Sequence, residues 1–196
     1  MAANVHPKMT PEQYLQAERS AVGVKSEYYE GYVYAMAGAS FAHGVITGNL
    51  VRALGNKTAS RGCVAIPNDL RTRVAYRGLY TYPDVVVICG KPEFIDGQQD
   101  TLTNPTLLIE VLSPSTEAYD RGFKSSQYRK IESLREYALV SQNEPRVEIY
   151  QRRENQQWLI SEVAGLDAGV HLESVDCDLS LREVYQNIAF EESAPR

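Results

Sequence analysis

Two stretches decide how this chain folds: Tyr82–Ile88, YPDVVVI, and Thr106–Leu112, TLLIEVL. Both are strand-length runs of β-branched and aliphatic residues, and the nearly continuous apolar character of the second is what a central strand buried on both faces requires. Each run carries one acid. Alternation puts Asp84 on the face shared by Val86 and Ile88, and Glu110 on the face shared by Leu108 and Leu112. An acid inside such a strand must be paired, protonated or bound to a cation. If the strands are neighbours in one sheet, a single register brings the carboxylates together. An oxygen-preferring divalent ion, Mg²⁺ or Mn²⁺, would relieve their repulsion. The competing reading is that each acid is salt-bridged or stands at a strand end near water. The residues alone leave both readings open.

Outward from these strands the period changes repeatedly. Thr10-Pro11-Glu12-Gln13 reads as a capping box with proline in the first helical position, opening a helix to about Ser20 that Gly23 breaks. Ser26–Met36, centred on Gly31, reads as a hairpin. Ser40–Ser60 reads as a second helix, capped by Ser40, with Ile46, Leu50, Ala53 and Leu54 on one stripe. Cys63–Ile66 and Asp69–Tyr76 read as strands with a kink at Pro67-Asn68, and Gly90–Pro105 as a polar loop. Glu117–Leu134 is expected to be one helix. Strands are expected at Glu136–Ser141, Arg146–Gln151 and Gln157–Val163, short β pieces over 165–180, a final helix at Leu181–Asn187, and a frayed tail over 188–196. Helices alternating with strands in this order make the class α/β or α+β, a mixed sheet flanked by helices.

Length and charge narrow the function. At 196 residues the chain suits one domain, 1–196, with residues 1–25 as a helical extension, and it has no need of disulfides or a structural metal to fold. Its 20 Lys+Arg against 25 Asp+Glu give a net charge of −5, which argues against coating nucleic acid by bulk positive charge but not against a local basic cleft. The three cysteines, Cys63, Cys89 and Cys177, are odd in number and form no CxxC, so reduced, mostly buried thiols are expected. No signal-peptide core or spanning run is present, and a soluble, cytoplasmic protein is expected, with no membrane partner. GxGxxG, P-loop and GxSxG patterns are missing, so nothing points to a nucleotide cofactor or a serine hydrolase, and a small-molecule hydrolase using the carboxylates stands as a minor reading.

The helix after TLLIEVL adds a cation. Asp120, Lys124, Tyr128 and Ile131 share one helical face. A lysine beside two carboxylates could orient a water or stabilise charge on a phosphate; taken alone it reads first as a surface residue paired with Asp120. Arg121, Lys124, Arg129, Lys130 and Arg135 make this helix locally basic, and Arg71, Arg73 and Arg77 form a second basic group; each is also read as an ordinary solvated face.

These residues, with MTPEQYL, SEYYEGYVYAMAGAS, His43, the EVLSPST stretch followed by D-x3-K-x3-Y, and EYALVS, carry a resemblance over nearly the whole chain. The chain resembles the Uma2 family (DUF820) of proposed restriction endonucleases. That resemblance implies the PD-(D/E)xK nuclease-like fold with an αβββαβ core. It implies Asp84 as the acid of the first half-motif and Glu110 as that of the second, with the main-chain carbonyl of Val111 as a further metal ligand. The pattern's lysine would fall at Leu112, and the family is thought to have moved it to the next helix, at Lys124. Glu27, or less readily Glu30, matches an acid near the start of the core, and is otherwise a solvated hairpin residue. His43 matches a recurrent histidine that would meet phosphate or a metal-bound water, or simply a helix terminus. Asp69 would face the same cleft or pair with Arg71 or Arg73. Tyr128 would support the lysine or touch the nucleic-acid backbone. The expected function is Mg²⁺- or Mn²⁺-dependent hydrolysis of DNA phosphodiesters, with a homodimer as the expected assembly and loop 90–105 shaping either a cleft or the dimer contact. The alternative, kept open by Leu112, is a catalytically silent module that binds nucleic acid or a protein partner.

Overall fold

The computed structural model describes residues 8–75 and 78–190. Tyr76, Arg77 and the last part of the expected tail, 191–196, lie outside the described residues. α1 (Pro11–Ser20) opens on the expected capping box: Gln13 N–H donates to Thr10 Oγ1 and Thr10 N–H to Gln13 Oε1. Its Tyr14 and Leu15 pack on Tyr28 and Tyr80. β1 (Ser26–Tyr29) and β2 (Tyr32–Ala35) form the hairpin, turned by Glu30 and Gly31 at φ 47° and 98°, the left-handed pair that suits strand twist. Ser40 caps α2 (Phe41–Thr58) by accepting from His43 N–H at 3.1 Å, which fixes where the His43 side chain leaves the first turn.

β3 (Cys63–Pro67), β4 (Arg71–Arg73), β5 (Tyr80–Thr81), β6 (Val85–Cys89), β7 (Thr101–Leu102) and β8 (Leu107–Leu112) follow. A helical segment comes next, with α3 (Glu117–Tyr119), a π turn over Asp120–Lys124, and α4 (Ser125–Tyr128). The chain ends in β9 (Glu136–Ser141), β10 (Arg146–Arg152), β11 (Trp158–Ala164), β12 (Gly169–Leu172), β13 (Cys177–Ser180) and α5 (Leu181–Val184).

Among the described residues the main sheet has six strands in the order β11-β10-β9-β8-β6-β3. β3, β6 and β8 run antiparallel, and the helical segment then crosses over to β9, which is parallel to β8 with Leu107 opposite Glu136 and Leu112 opposite Ser141. α2, β3, β6, β8, α3–α4 and β9 thus form the αβββαβ core that the resemblance implied. β4, β5 and β7 leave that path and join the hairpin in a second sheet, β2-β1-β5-β4-β7. The main sheet is buried on both faces. Val85, Val87, Leu107, Ile109 and Val111 pack with α2, β12, β13 and α5, whereas Val86, Ile88, Leu108 and Leu112 pack with Tyr128, Ile131, Leu134 and Tyr137. The even-numbered residues of β8 therefore share the face that alternation assigned to Glu110.

Five expectations are corrected. The helix expected over Glu117–Leu134 stops at Tyr128, because the carbonyls of Arg129, Ile131 and Leu134 are taken by the Arg152 guanidinium at 2.9, 2.7 and 2.7 Å, a cap supplied by a distant strand. Among the described residues the strand expected over Asp69–Tyr76 is seen only over Arg71–Arg73, and the loop expected over 90–105 contains β7, paired parallel to β4. Asp84 precedes β6 rather than sitting within it, since Pro83 has no N–H to continue a ladder. Cys63 and Cys89 are not free thiols. They are register partners across β3 and β6, with Cα atoms 4.0 Å apart, and form a disulfide that leaves Cys177 buried and free. The cysteine argument for a reducing compartment goes with it. No helix among the described residues is long and apolar enough to cross a membrane.

Candidate active site

Just beyond the last ladder pair of β6 and β8, Val85 with Ile109, the strands offer Asp84 and Glu110 on the sheet face that the helical segment covers. Val111 N–H donates to Asp84 Oδ2 at 2.8 Å, and His43 Nε2 lies 2.9 Å from Asp84 Oδ1. Val111 thus meets Asp84 through its amide. Burial alone would lower the His43 pKa, but its hydrogen bond to Asp84 and the charge of that carboxylate raise it.

Glu110 is 2% exposed. Its Oε1 accepts from Lys124 Nζ at 3.0 Å and from Tyr128 Oη at 2.6 Å. Lys124 Nζ also stands 3.3 Å from Glu27 Oε1 and 3.3 Å from Asp120 Oδ1. Glu27 is fixed in turn, accepting from Thr81 Oγ1 and, at Oε2, from Tyr119 Oη at 2.9 Å. The π turn presents Asp120 and Lys124 to this cluster from one stretch of helix.

The electrostatics follow from crowding. Burial is the largest influence on Glu110 and drives its pKa well up; Lys124 opposes that, while Asp120 and Asp84 push it further. Asp120 is raised too, again mainly by burial. Burial would lower Lys124, but Glu110, Tyr128, Glu27 and Asp120 hold it well above the ordinary lysine value. Lys124 is therefore a fixed positive charge that can stabilise an anion or orient a donor, not a base that takes a proton near neutral pH.

The structure thus brings Glu110, Lys124, Glu27 and Tyr128 into one contact network, and sets Asp84 with His43 beside it through the amide of Val111, the residue after Glu110. Tyr128 is wholly buried and holds Glu110, so it cannot touch a nucleic-acid backbone. Glu30, the alternative to Glu27, is exposed at the hairpin turn. Asp69 does not join the network: it is exposed and pairs with Lys25, not with Arg71 or Arg73. Nor does the basic helix face the acids as a whole. Arg121 pairs with Glu117 and Glu148, and Arg129, Lys130 and Arg135 line a separate hollow with Arg152 and Arg153. Arg71 is buried against Asp100, Arg73 lies on β4, and Arg77 falls outside the described residues. Sequence reasoning did not place Asp120, Tyr119 or Thr81 in the site. Asp120 had a signal, its four-residue spacing from Lys124; Tyr119 and Thr81 had none.

Among the described residues no three His, Cys, Asp or Glu side chains form a ready-made metal cage. Lys124 occupies the space between Glu27, Glu110 and Asp120. The donor set nevertheless fits a hard cation. Four carboxylates, Glu27, Asp84, Glu110 and Asp120, face one lysine and one histidine, and the buried Asp120 Oδ1 finds no well-formed hydrogen bond. Mg²⁺ requires only one or two protein carboxylates, with water and substrate phosphate completing its shell.

Comparison with known proteins bears on the family and the fold. Residues 11–182 match the family model Uma2, described as "Putative restriction endonuclease". Two uncharacterized proteins of Synechocystis sp. are similar: sll1609 is 40% identical over 83% of this chain and 91% of its own length, and slr1290 is 36% identical over 94% and 95%. A crystal structure titled as a "putative nuclease belonging to DUF820" from Anabaena variabilis superposes with a TM-score of 0.75 at 20% identity, covering 90% of this chain and 97% of that one, so the two share a fold. With the match running from α1 to α5 and through every residue of the carboxylate–lysine network, this chain belongs to the Uma2 family.

Proposed function

We propose that the protein is a divalent-metal-dependent endonuclease that hydrolyses DNA phosphodiester bonds. The observation that carries this reading is the buried Glu110–Lys124–Tyr128 contact set beside Asp84: an acid in a crowd of acids, held at 3.0 Å by one buried lysine and at 2.6 Å by one tyrosine. Asp84 and Glu110 would hold Mg²⁺ or Mn²⁺, with the Val111 carbonyl as a further donor. A cation there supplies polarisation of the phosphate and a bound water of lowered pKa. The chain's own residues supply the rest. His43 and the Val111 amide set the direction of Asp84, and Tyr128 sets that of Glu110. Lys124 places a permanent positive charge where negative charge grows on the phosphate. Glu27 and Asp120 keep that ammonium charged and centred.

The test is cleavage of plasmid DNA in Mg²⁺ or Mn²⁺ by the purified chain. Cleavage should disappear in Asp84→Ala and in Glu110→Ala. Cleavage that survived both substitutions would overturn the site assignment. DNA binding without cleavage by the unsubstituted chain would favour the silent binding module instead.

A further inference from the structure

The two elements that build the carboxylate–lysine network also build a second feature beside it. In the β1–β2 register Glu27 lies opposite Tyr34, and Tyr29 is two residues from Glu27, so Glu27, Tyr29 and Tyr34 share one face of the hairpin. Across from that face, the helical segment that supplies Asp120 and Lys124 also supplies Tyr119 and Phe123. Tyr29, Tyr34, Tyr119 and Phe123, with Ser115 and Thr116, line an open hollow of about 410 Å³. Tyr119 and Phe123 are stacked at 5.3 Å with 18° between their planes, and Tyr29 meets Phe123 edge-on at 4.7 Å. Tyr119 belongs to both places: its hydroxyl donates to Glu27 Oε2, and its ring lies 5.6 Å from Lys124 Nζ.

An aromatic hollow sharing a wall with a phosphate-handling cluster matches the two halves of one ligand, a nucleotide. Resting on the nuclease reading above, we propose that this hollow binds a nucleobase of the substrate strand, next to the phosphate that the carboxylate–lysine cluster engages. A π face accepts any base, so the contact would be tolerant of sequence. A base can enter only when it is unstacked and unpaired, so the structure assigns single-stranded DNA, or a single-stranded stretch within a duplex, as the preferred substrate. The low overall charge agrees: with a net charge of −5 the protein lacks the bulk attraction for duplex backbone, and stacking would supply part of the affinity instead.

The experiment uses the full chain with Ca²⁺ as the divalent ion and a short DNA strand carrying 2-aminopurine, single-stranded or annealed to its complement. Anisotropy reads affinity and 2-aminopurine emission reads stacking. The expected result is quenching with the single strand only, lost in Tyr34→Leu and in Tyr29→Leu with about 10-fold weaker single-strand binding. Tyr34→Phe, which keeps the ring, should retain both signals. Duplex affinity should not move in any variant. Quenching and affinity unchanged in both leucine variants would overturn the proposal. So would duplex binding that weakens as much as single-strand binding, or the absence of single-strand binding by the unsubstituted chain. Circular dichroism melting of each variant separates loss of the ring from loss of the fold. Cleavage of the same strands in Mg²⁺ is scored separately. Cleavage with a silent hollow removes only this proposal, and stacking without cleavage removes only the hydrolytic reading.

Discussion

Two buried glutamates on adjacent strands of one sheet, Glu110 on β8 and Glu136 on β9, are both nearly inaccessible, at 2% and 1% exposure, and are solved in opposite ways. Glu136 is surrounded by donors. Gln151 Nε2, the Glu173 and Ser174 amides and the Ser174 hydroxyl all point at its oxygens, tying the turn after β12 to the sheet. Glu110 is surrounded by other acids, with one lysine and one tyrosine to hold it. A carboxylate satisfied by neutral dipoles reads as structural, whereas one that depends on a charge that binding can rearrange is a candidate for chemistry. Burial alone does not distinguish them; the partners do.

That contrast can be broken or sharpened by substitution. The largest effect is expected from Lys124→Ala, which leaves Glu27, Glu110 and Asp120 without their common cation and should cost about 3–5 kcal/mol in urea denaturation. Next, Glu110→Gln should reduce metal-dependent cleavage by about 10²–10³-fold while changing stability by less than about 1 kcal/mol, because a neutral amide relieves the acid crowding. Glu136→Ala should do the reverse, losing about 2–3 kcal/mol through stranded donors while the folded protein cleaves at the parent rate. A Glu136 variant that abolished cleavage without unfolding would erase the distinction.

The smallest effect concerns a third kind of acid, Asp100, which two arginines satisfy. Arg19 Nε at 2.7 Å, and then Arg71, hold its carboxyl well below the usual range. A depressed folded pKa means that the contribution is full above the unfolded aspartate value of about 4 and fades as pH falls below it. Unfolding free energy by urea denaturation against pH should therefore be less acid-sensitive in Asp100→Asn, by about 1 kcal/mol.

How much of this was legible in the sequence depends on whether the cause was local. Strand alternation gave each of Asp84 and Glu110 its face, but that the faces coincide rests on the β6–β8 register; four-residue spacing was enough to align Asp120, Lys124 and Tyr128. The same spacing was also compatible with a surface ion pair, and only the closure of β1 and α3 over the sheet decides that Asp120 and Glu27 share Lys124. The end of α4 was not legible because its cap, Arg152, lies on β10. The disulfide was not legible because an odd cysteine count says nothing about which pair faces across β3 and β6. The basic count on the helix was ambiguous in a different way. The basic residues near the lysine exist, but past Tyr128 they turn to a separate hollow, and a linear count does not say which way they face.

The bond from Val111 N–H to Asp84 Oδ2 has one more consequence. Pro83 ends the ladder of β6, and the next side chain takes up the amide that the facing strand still presents, while the capped first turn of α2 delivers His43 to its other oxygen. Asp84 is thereby held from two directions by elements that fold for reasons of their own. The rotamer entropy that a carboxylate loses on gripping a ligand has here already been surrendered during folding, so an incoming ion or phosphate would meet a group that needs little reorganisation.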